Sequence, residues 1–121
     1  TGCGFDGLTL RDGRHVLAYN HHHSSGKGPR KFLVLAISKD AKNWSAGQVI
    51  SIGSGQHSYA GVIQGNDGLL YMSFTWNRRS IGHAVVNPYK ITDDNIVAMP
   101  NGQWPKSGPL SQGANGEKGD R

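Results

Sequence analysis

The chain has 121 residues, 18 of them glycine, a single cysteine and a formal net charge of +5. That length allows one domain at most, and the lone Cys3 excludes an internal disulfide. No window carries the apolar run of a membrane helix, so no membrane partner is expected. The basic residues are scattered and accompany no nucleic-acid motif, which leaves a solvated surface or an attraction for acidic glycans rather than nucleic acid.

Residues 5–10 and 15–20 read as two strands joined by a turn at Asp12-Gly13, since Asp-Gly tolerates the positive φ of a tight hairpin. A polar loop follows from Asn20 to Pro29. It contains His21-His22-His23, but neighbours on an extended segment point to opposite sides and do not converge on one ion. No metal site and no cofactor is expected. Residues 30–38 form a third strand with a basic start and an apolar body. Ser38-Lys39-Asp40-Ala41-Lys42-Asn43-Trp44 reads as a β-turn in which Asp40 accepts from the turn backbone and Trp44 packs beneath. Residues 48–52 complete that hairpin, and Gly53-Ser54-Gly55 leads onward.

The most strand-rich stretch comes next. Residues 59–64, 69–76 and 81–86 are three strands, with turns at Asn66-Asp67-Gly68 and Asn77-Arg78-Arg79. Residues 87–94 pass as a short edge segment and 96–99 as one more strand. From Pro100 on, Pro, Gly, Ser and charge predict little packed structure. Residues 113–121 fall in Gly-X-Y register, too few triplets for a collagen helix.

The strand–Asp-Gly–strand plan occurs twice, at an offset of about 55 residues. Gly7 aligns with Gly61, Asp12-Gly13 with Asp67-Gly68, Tyr19 with Phe74, and in the third strands Ala36 with Ala84. Antiparallel meanders of this kind are the blade unit of a propeller. The expected fold is therefore all-β, with about two blades over residues 1–99 and a flexible tail over 100–121. Two blades leave sheet faces that need neighbours, so the chain reads as part of a larger propeller whose other blades are its partners.

The order Asn20-His21, Arg30, Ser38 to Trp44, Tyr59 and Asp67-Gly68 resembles the sialidase superfamily of BNR/Asp-box proteins. The segment from Ser38 to Trp44 resembles the family's Asp-box, with Ala41 in place of the usual glycine and Asn43 in place of threonine. The resemblance implies a six-bladed propeller that hydrolyses acidic sugars. It implies that Tyr59 is the nucleophile and Arg30 one of three arginines that clamp the substrate carboxylate. The chemistry is coherent: guanidinium matches a carboxylate as a fork, and a neutral phenol suits an anionic substrate. Ala60 stands where the family often has serine, and Glu117, the only glutamate, lies in the tail. The activating glutamate, the acid/base aspartate and the other arginines are then expected from other blades.

Two further readings stay open. His57 and His21, with a tyrosine, would serve proton transfer in a propeller lyase or unusual glycosidase. Arg78 and Arg79 would then face the site. Alternatively the propeller only binds carbohydrate or acts as a scaffold, with Trp44, Trp76 or Trp104 stacking on sugars. The expected ligand in each case is a glycan or oligosaccharide. The compartment is left open, with a secreted or extracellular setting favoured.

Overall fold

The computed structural model describes residues 4–21, 30–99 and 103–105. Within them lie β1 (Asp6–Thr9), β2 (His15–Asn20), β3 (Phe32–Ser38), β4 (Ser45–Ile52), β5 (His57–Gln64), β6 (Leu70–Trp76), β7 (Ser80–Val86) and β8 (Val97–Ala98). They form two antiparallel sheets, ordered β1-β2-β3-β4-β8 and β5-β6-β7. The described residues contain no α-helix, and the all-β meander expected from the sequence is what they form. Residues 87–94 differ from the expected edge segment. Pro88–Lys90 is a one-turn 3-10 helix, started by Pro88 and capped by Asn87, whose Oδ1 accepts from the Tyr89 N–H at 3.0 Å.

The alternation of apolar residues sets the packing. In β2, Val16 and Ala18 face inward; in β6, Leu70, Met72 and Phe74 do so. These rows meet Leu33, Leu35 and Ile37 of β3 and Val62 of β5 in one core between the two sheets. Burying each large aliphatic side chain contributes roughly 1.5–3 kcal/mol. Strand β3 is buried along nearly its whole length because its other face is covered too. There Val34 packs with Ala46, Val49 and Trp104. Trp104 is 3% exposed, so at this residue the stretch beyond Pro100 is packed against the fold, where little packed structure was expected. The Gly-X-Y register lies outside the described residues.

The internal repeat is visible in hydrogen bonds. Gly13 N–H donates to Leu10 O and Gly68 N–H to Gly65 O, both at 2.9 Å. Asp12 accepts from the Arg14 N–H and Asp67 from the Leu69 N–H. Both glycines have positive φ, 92° and 85°, a region that glycine enters without a Cβ penalty. Leu17 pairs with Ala36 in the first sheet as Met72 pairs with Ala84 in the second. One alignment is corrected. Gly7 pairs with Leu17 and Val62 with Met72, so the counterpart of Gly7 is Val62 rather than Gly61. The pairs from Gly61 to Gln64 run unbroken to the turn, so the offset of 55 that aligns the Asp-Gly pairs also aligns Gly7 with Val62. Arg11 ties the two equivalent turns together: its N–H donates to Gln64 Oε1 at 3.0 Å and its guanidinium to the carbonyls of Gly65 and Asn66.

The Asp-box turn joins β3 to β4. Asp40 Oδ1 accepts from the N–H groups of Lys42 and Asn43, both at 2.8 Å, and Oδ2 accepts from Asn43 Nδ2 at 2.8 Å. The Ser38 hydroxyl accepts from the Ala41 N–H at 2.9 Å. Ala41 has φ 61°, a left-handed conformation at the position where the resemblance has glycine. A Cβ there costs on the order of 1–2 kcal/mol, partly offset by the smaller entropy of unfolded alanine. Ala41→Gly is therefore expected to raise stability by several tenths to about 1 kcal/mol, read as a higher urea midpoint at unchanged slope. A lower midpoint would contradict the assignment of strain to this residue.

Three turn carboxyls sit below the usual carboxylate range. The Arg14 side chain lowers Asp12, the N–H groups of Asn43 and Lys42 lower Asp40, and the Tyr71 hydroxyl and Leu69 N–H lower Asp67. A depressed folded-state pKa contributes stability that is present above the unfolded value of about 3.9 and lost as pH falls through the folded value. Thermal unfolding followed by circular dichroism should give a melting temperature that drops as pH is lowered from about 5 toward 2. Asp40→Asn should flatten that drop. An equal drop in the variant would remove Asp40 from the effect.

Candidate functional site

Antiparallel pairing brings the start of β1, the end of β2, the start of β3, the end of β4 and the β6–β7 turn to one rim of the molecule. Arg30 and Tyr59 meet there. The Arg30 Cζ lies 5.1 Å from the centroid of the Tyr59 ring, an exposed cation–π contact. The His57 N–H donates to Arg30 O at 2.6 Å, which joins the Arg30 backbone to the beginning of β5.

Tyr59 is in an unusual state. It sits where the β5–β6 register shifts, between the pairs Ser58–Thr75 and Gly61–Ser73. Its φ is 56° and its side chain is 58% exposed. A bulky residue in the left-handed region is a strain that structures retain where something else over-determines it. Gly4 lies against the ring: a Cβ on Gly4 would come within 2.6 Å of Tyr59 Cδ1, so only glycine leaves the ring in place. Side chains of the first sheet hold the bulge from both ends. Asn20 Nδ2 donates to His57 O at 2.6 Å, and Asp6 Oδ2 accepts from the Val62 N–H at 3.0 Å.

Arg78 reaches the same rim from the β6–β7 turn. Its Nε donates to Gln56 Oε1 at 3.0 Å. Asn77 and Arg78 both have positive φ, 53° and 56°, the φ pattern of a type I′ turn. Asn77 locks the turn to Gln56, accepting the Gln56 N–H at Oδ1 at 2.8 Å and donating its own N–H to Gln56 O at 2.6 Å. Arg79 is exposed.

The two histidine candidates have different surroundings. His57 is fully buried and stacks on Phe74, with ring centroids 6.4 Å apart. Its Nε2 faces the Ser54 carbonyl at 3.2 Å and so carries a proton, while Nδ1 bonds the Ser51 hydroxyl at 2.6 Å. His21 is 7% exposed and lies among the rings of Tyr19, Phe32 and Trp104. Its Nε2 accepts the Trp104 N–H at 3.2 Å, which assigns the proton to Nδ1, 2.7 Å from the Tyr19 hydroxyl. Burial pushes Tyr19 up to about 12. His21 thus anchors the segment around Trp104. His22 and His23 lie outside the described residues. Of the tryptophans, Trp104 is buried, and Trp44 and Trp76 are half-buried.

A cavity of about 310 Å³ lies at the opposite rim, lined by Ile37, Ser38, Asp40, Ile91 and Asp93 among others. Several of its charged groups are already engaged. The turn occupies the Asp40 carboxylate, and Lys39 and Asp93 pair across 2.6 Å. The chemistry-bearing groups gather on the other rim, where Tyr59 and Arg30 are. Sequence reasoning missed Gly4, Asp6, Asn20 and Gln56 there. Asp6 read only as part of a strand, and Asn20 as a loop start and a member of the family pattern; their contacts with β5 appear only once the sheets are packed.

The sequence matches the BNR repeat-like domain over residues 3–72, a span that contains the Asp-box turn, Arg30 and Tyr59. No curated protein and no solved structure matches it. A BNR repeat implies propeller blades and is typical of sialidase-like glycosidase propellers; the two antiparallel sheets are blade-like, and the described residues do not themselves form a closed ring. With more than half of its length inside that match, the chain belongs to the BNR repeat-like domain family.

Proposed function

We propose that the rim bearing Tyr59 and Arg30 is part of the active site of a sialidase-like exo-glycosidase that acts on acidic sugars, completed by further propeller blades. The observation that carries this reading is the exposed, left-handed Tyr59 with the Arg30 guanidinium 5.1 Å from its ring. A tyrosine held out of the ordinary strand conformation presents its hydroxyl at the rim instead of along the sheet. Arg30 supplies a cation within a sugar's width of it.

The roles follow from the chemistry. Arg30 offers a fork to the substrate carboxylate and fixes the ring. The Tyr59 hydroxyl gives its proton to a carboxylate on another blade, and its oxygen forms a bond to the anomeric carbon as the glycosidic C–O bond breaks. The departing oxygen takes a proton from an acid on another blade, and water then cleaves the tyrosyl–sugar bond and returns the phenol. Arg78, 3.0 Å from Gln56, adds positive charge on the same rim. The lyase reading through His57 or His21 has less support. Both rings are buried, and both nitrogens of each already have partners within the fold.

The test is kinetic, in the full-length protein with a fluorogenic sialoside. Tyr59→Phe should lower kcat by about a thousandfold or more, since it removes the attacking oxygen and leaves the ring. Arg30→Lys should mainly raise KM, because a point charge replaces the fork. Wild-type turnover in Tyr59→Phe would refute the nucleophile. Sialoside binding without turnover in the unaltered protein would favour the carbohydrate-binding reading instead.

A further inference from the structure

The open edge of β5 carries two groups that no strand pairs: the carbonyl of His57 and the N–H of Val62. They stand on either side of the Tyr59 bulge. Each is met by one side chain of the first sheet, Asn20 Nδ2 at 2.6 Å and Asp6 Oδ2 at 3.0 Å. Asp6 is itself oriented, because its Oδ1 accepts the Gly7 N–H at 2.9 Å. The bulge is thus pinned at both ends by residues that begin β1 and end β2, and the pins lie on the same rim as Arg30.

The arrangement is costly. Tyr59 has φ 56°, and two buried polar atoms beside it, Asn20 Oδ1 and Ser58 Oγ, have no hydrogen-bond partner among the described residues. A buried polar group without a partner and a left-handed bulky residue each weaken the fold. An unbulged strand would need neither. Local strain that the surroundings hold in place, at an exposed tyrosine beside an arginine, is the pattern expected where position matters more than stability.

From this geometry we propose that Asn20 and Asp6 are positioning residues for Tyr59: they hold the 58–61 bulge so that the ring stands beside Arg30. The proposal rests on the reading of Tyr59 and Arg30 as one site. Neither residue touches the reacting atoms. They act through the backbone, by fixing where the strand leaves and rejoins its ladder with β6.

The experiment is nuclear magnetic resonance on the full-length protein. The Tyr59 ring current displaces the Arg30 side-chain resonances, and Tyr59→Ala defines their undisplaced positions. Asn20→Ala and Asp6→Ala should each move the Arg30 Nε–H and δ-methylene signals more than half of the way to those positions. The amides of Gly13 and Gly68, at the opposite rim, should stay where they are. Asp6→Asn, which keeps an oxygen acceptor, should restore the displacement. Arg30 signals that remain displaced in both alanine variants would overturn the proposal, because residues of merely structural role would lower stability and leave the Tyr59–Arg30 geometry intact. Should either alanine variant fail to fold, hydrogen exchange in the unaltered protein decides. The Val62 amide should exchange slowly although it lies on a sheet edge, and exchange at the rate of an open edge would overturn the Asp6 contact. Tyr59→Phe keeps the ring and hence the displacement, so loss or retention of turnover in that variant bears on the chemistry of Tyr59 alone.

Discussion

The edge of β5 is the constraint on which the rest of this structure depends. Two sheets share one apolar core, yet at their junction the backbone of β5 has no neighbouring strand to bond. Backbone N–H and C=O groups withdrawn from water need partners, and leaving them unmet costs on the order of 1–3 kcal/mol each. Here side chains of the first sheet take the place of a strand. Asn20 and Asp6 meet the two exposed ends of the bulge, and the His57 N–H finds the Arg30 carbonyl. Because those three contacts come from β1, β2 and the approach to β3, the position of Tyr59 is set by residues far from it in the chain.

The two turns that repeat along the sequence repeat in space for the same reason. An Asp-Gly pair closes each hairpin with the same set of bonds, and the third strand of each unit pairs in the same register. Arg11 then spans the two copies. The equivalent turns lie at one rim and the Tyr59 bulge at the other. The Tyr59 bulge thus shares its rim with Arg30, Arg78 and Arg79, away from the braced turns.

Much of the fold could be read from residue order, because strand alternation and Asp-Gly turns are local signals. The strands from His15 to Asn20 and from Leu70 to Trp76 follow from alternation alone. The Asp-box was legible despite Ala41, since the Asp40 carboxylate organises the turn whatever residue carries the positive φ. What could not be read was long-range. Trp104 sits in a stretch of Pro and Gly and is buried only because β3 exposes a second apolar face. The Gly7–Gly61 alignment failed because matching glycine to glycine puts the strand one residue out of step with the Asp-Gly turns, while the ladder from Gly61 to Gln64 runs unbroken. The order of residues in a family pattern pointed to Tyr59 and Arg30, and their side chains lie in contact. The buried settings of His57 and His21 were not legible, since exposure follows from packing and not from residue type.

The central claim is that one rim presents Tyr59 and Arg30 to a single acidic sugar. The most direct measurement is a crystal structure of the full-length protein with a flattened, carboxylate-bearing analogue of the sialosyl transition state. The account predicts the analogue's carboxylate within hydrogen-bond distance of the Arg30 guanidinium and its anomeric carbon about 3–3.5 Å from the Tyr59 oxygen. An analogue seated in the cavity beside Asp40 and Asp93, or on this rim with Tyr59 turned away from its anomeric carbon, would contradict it.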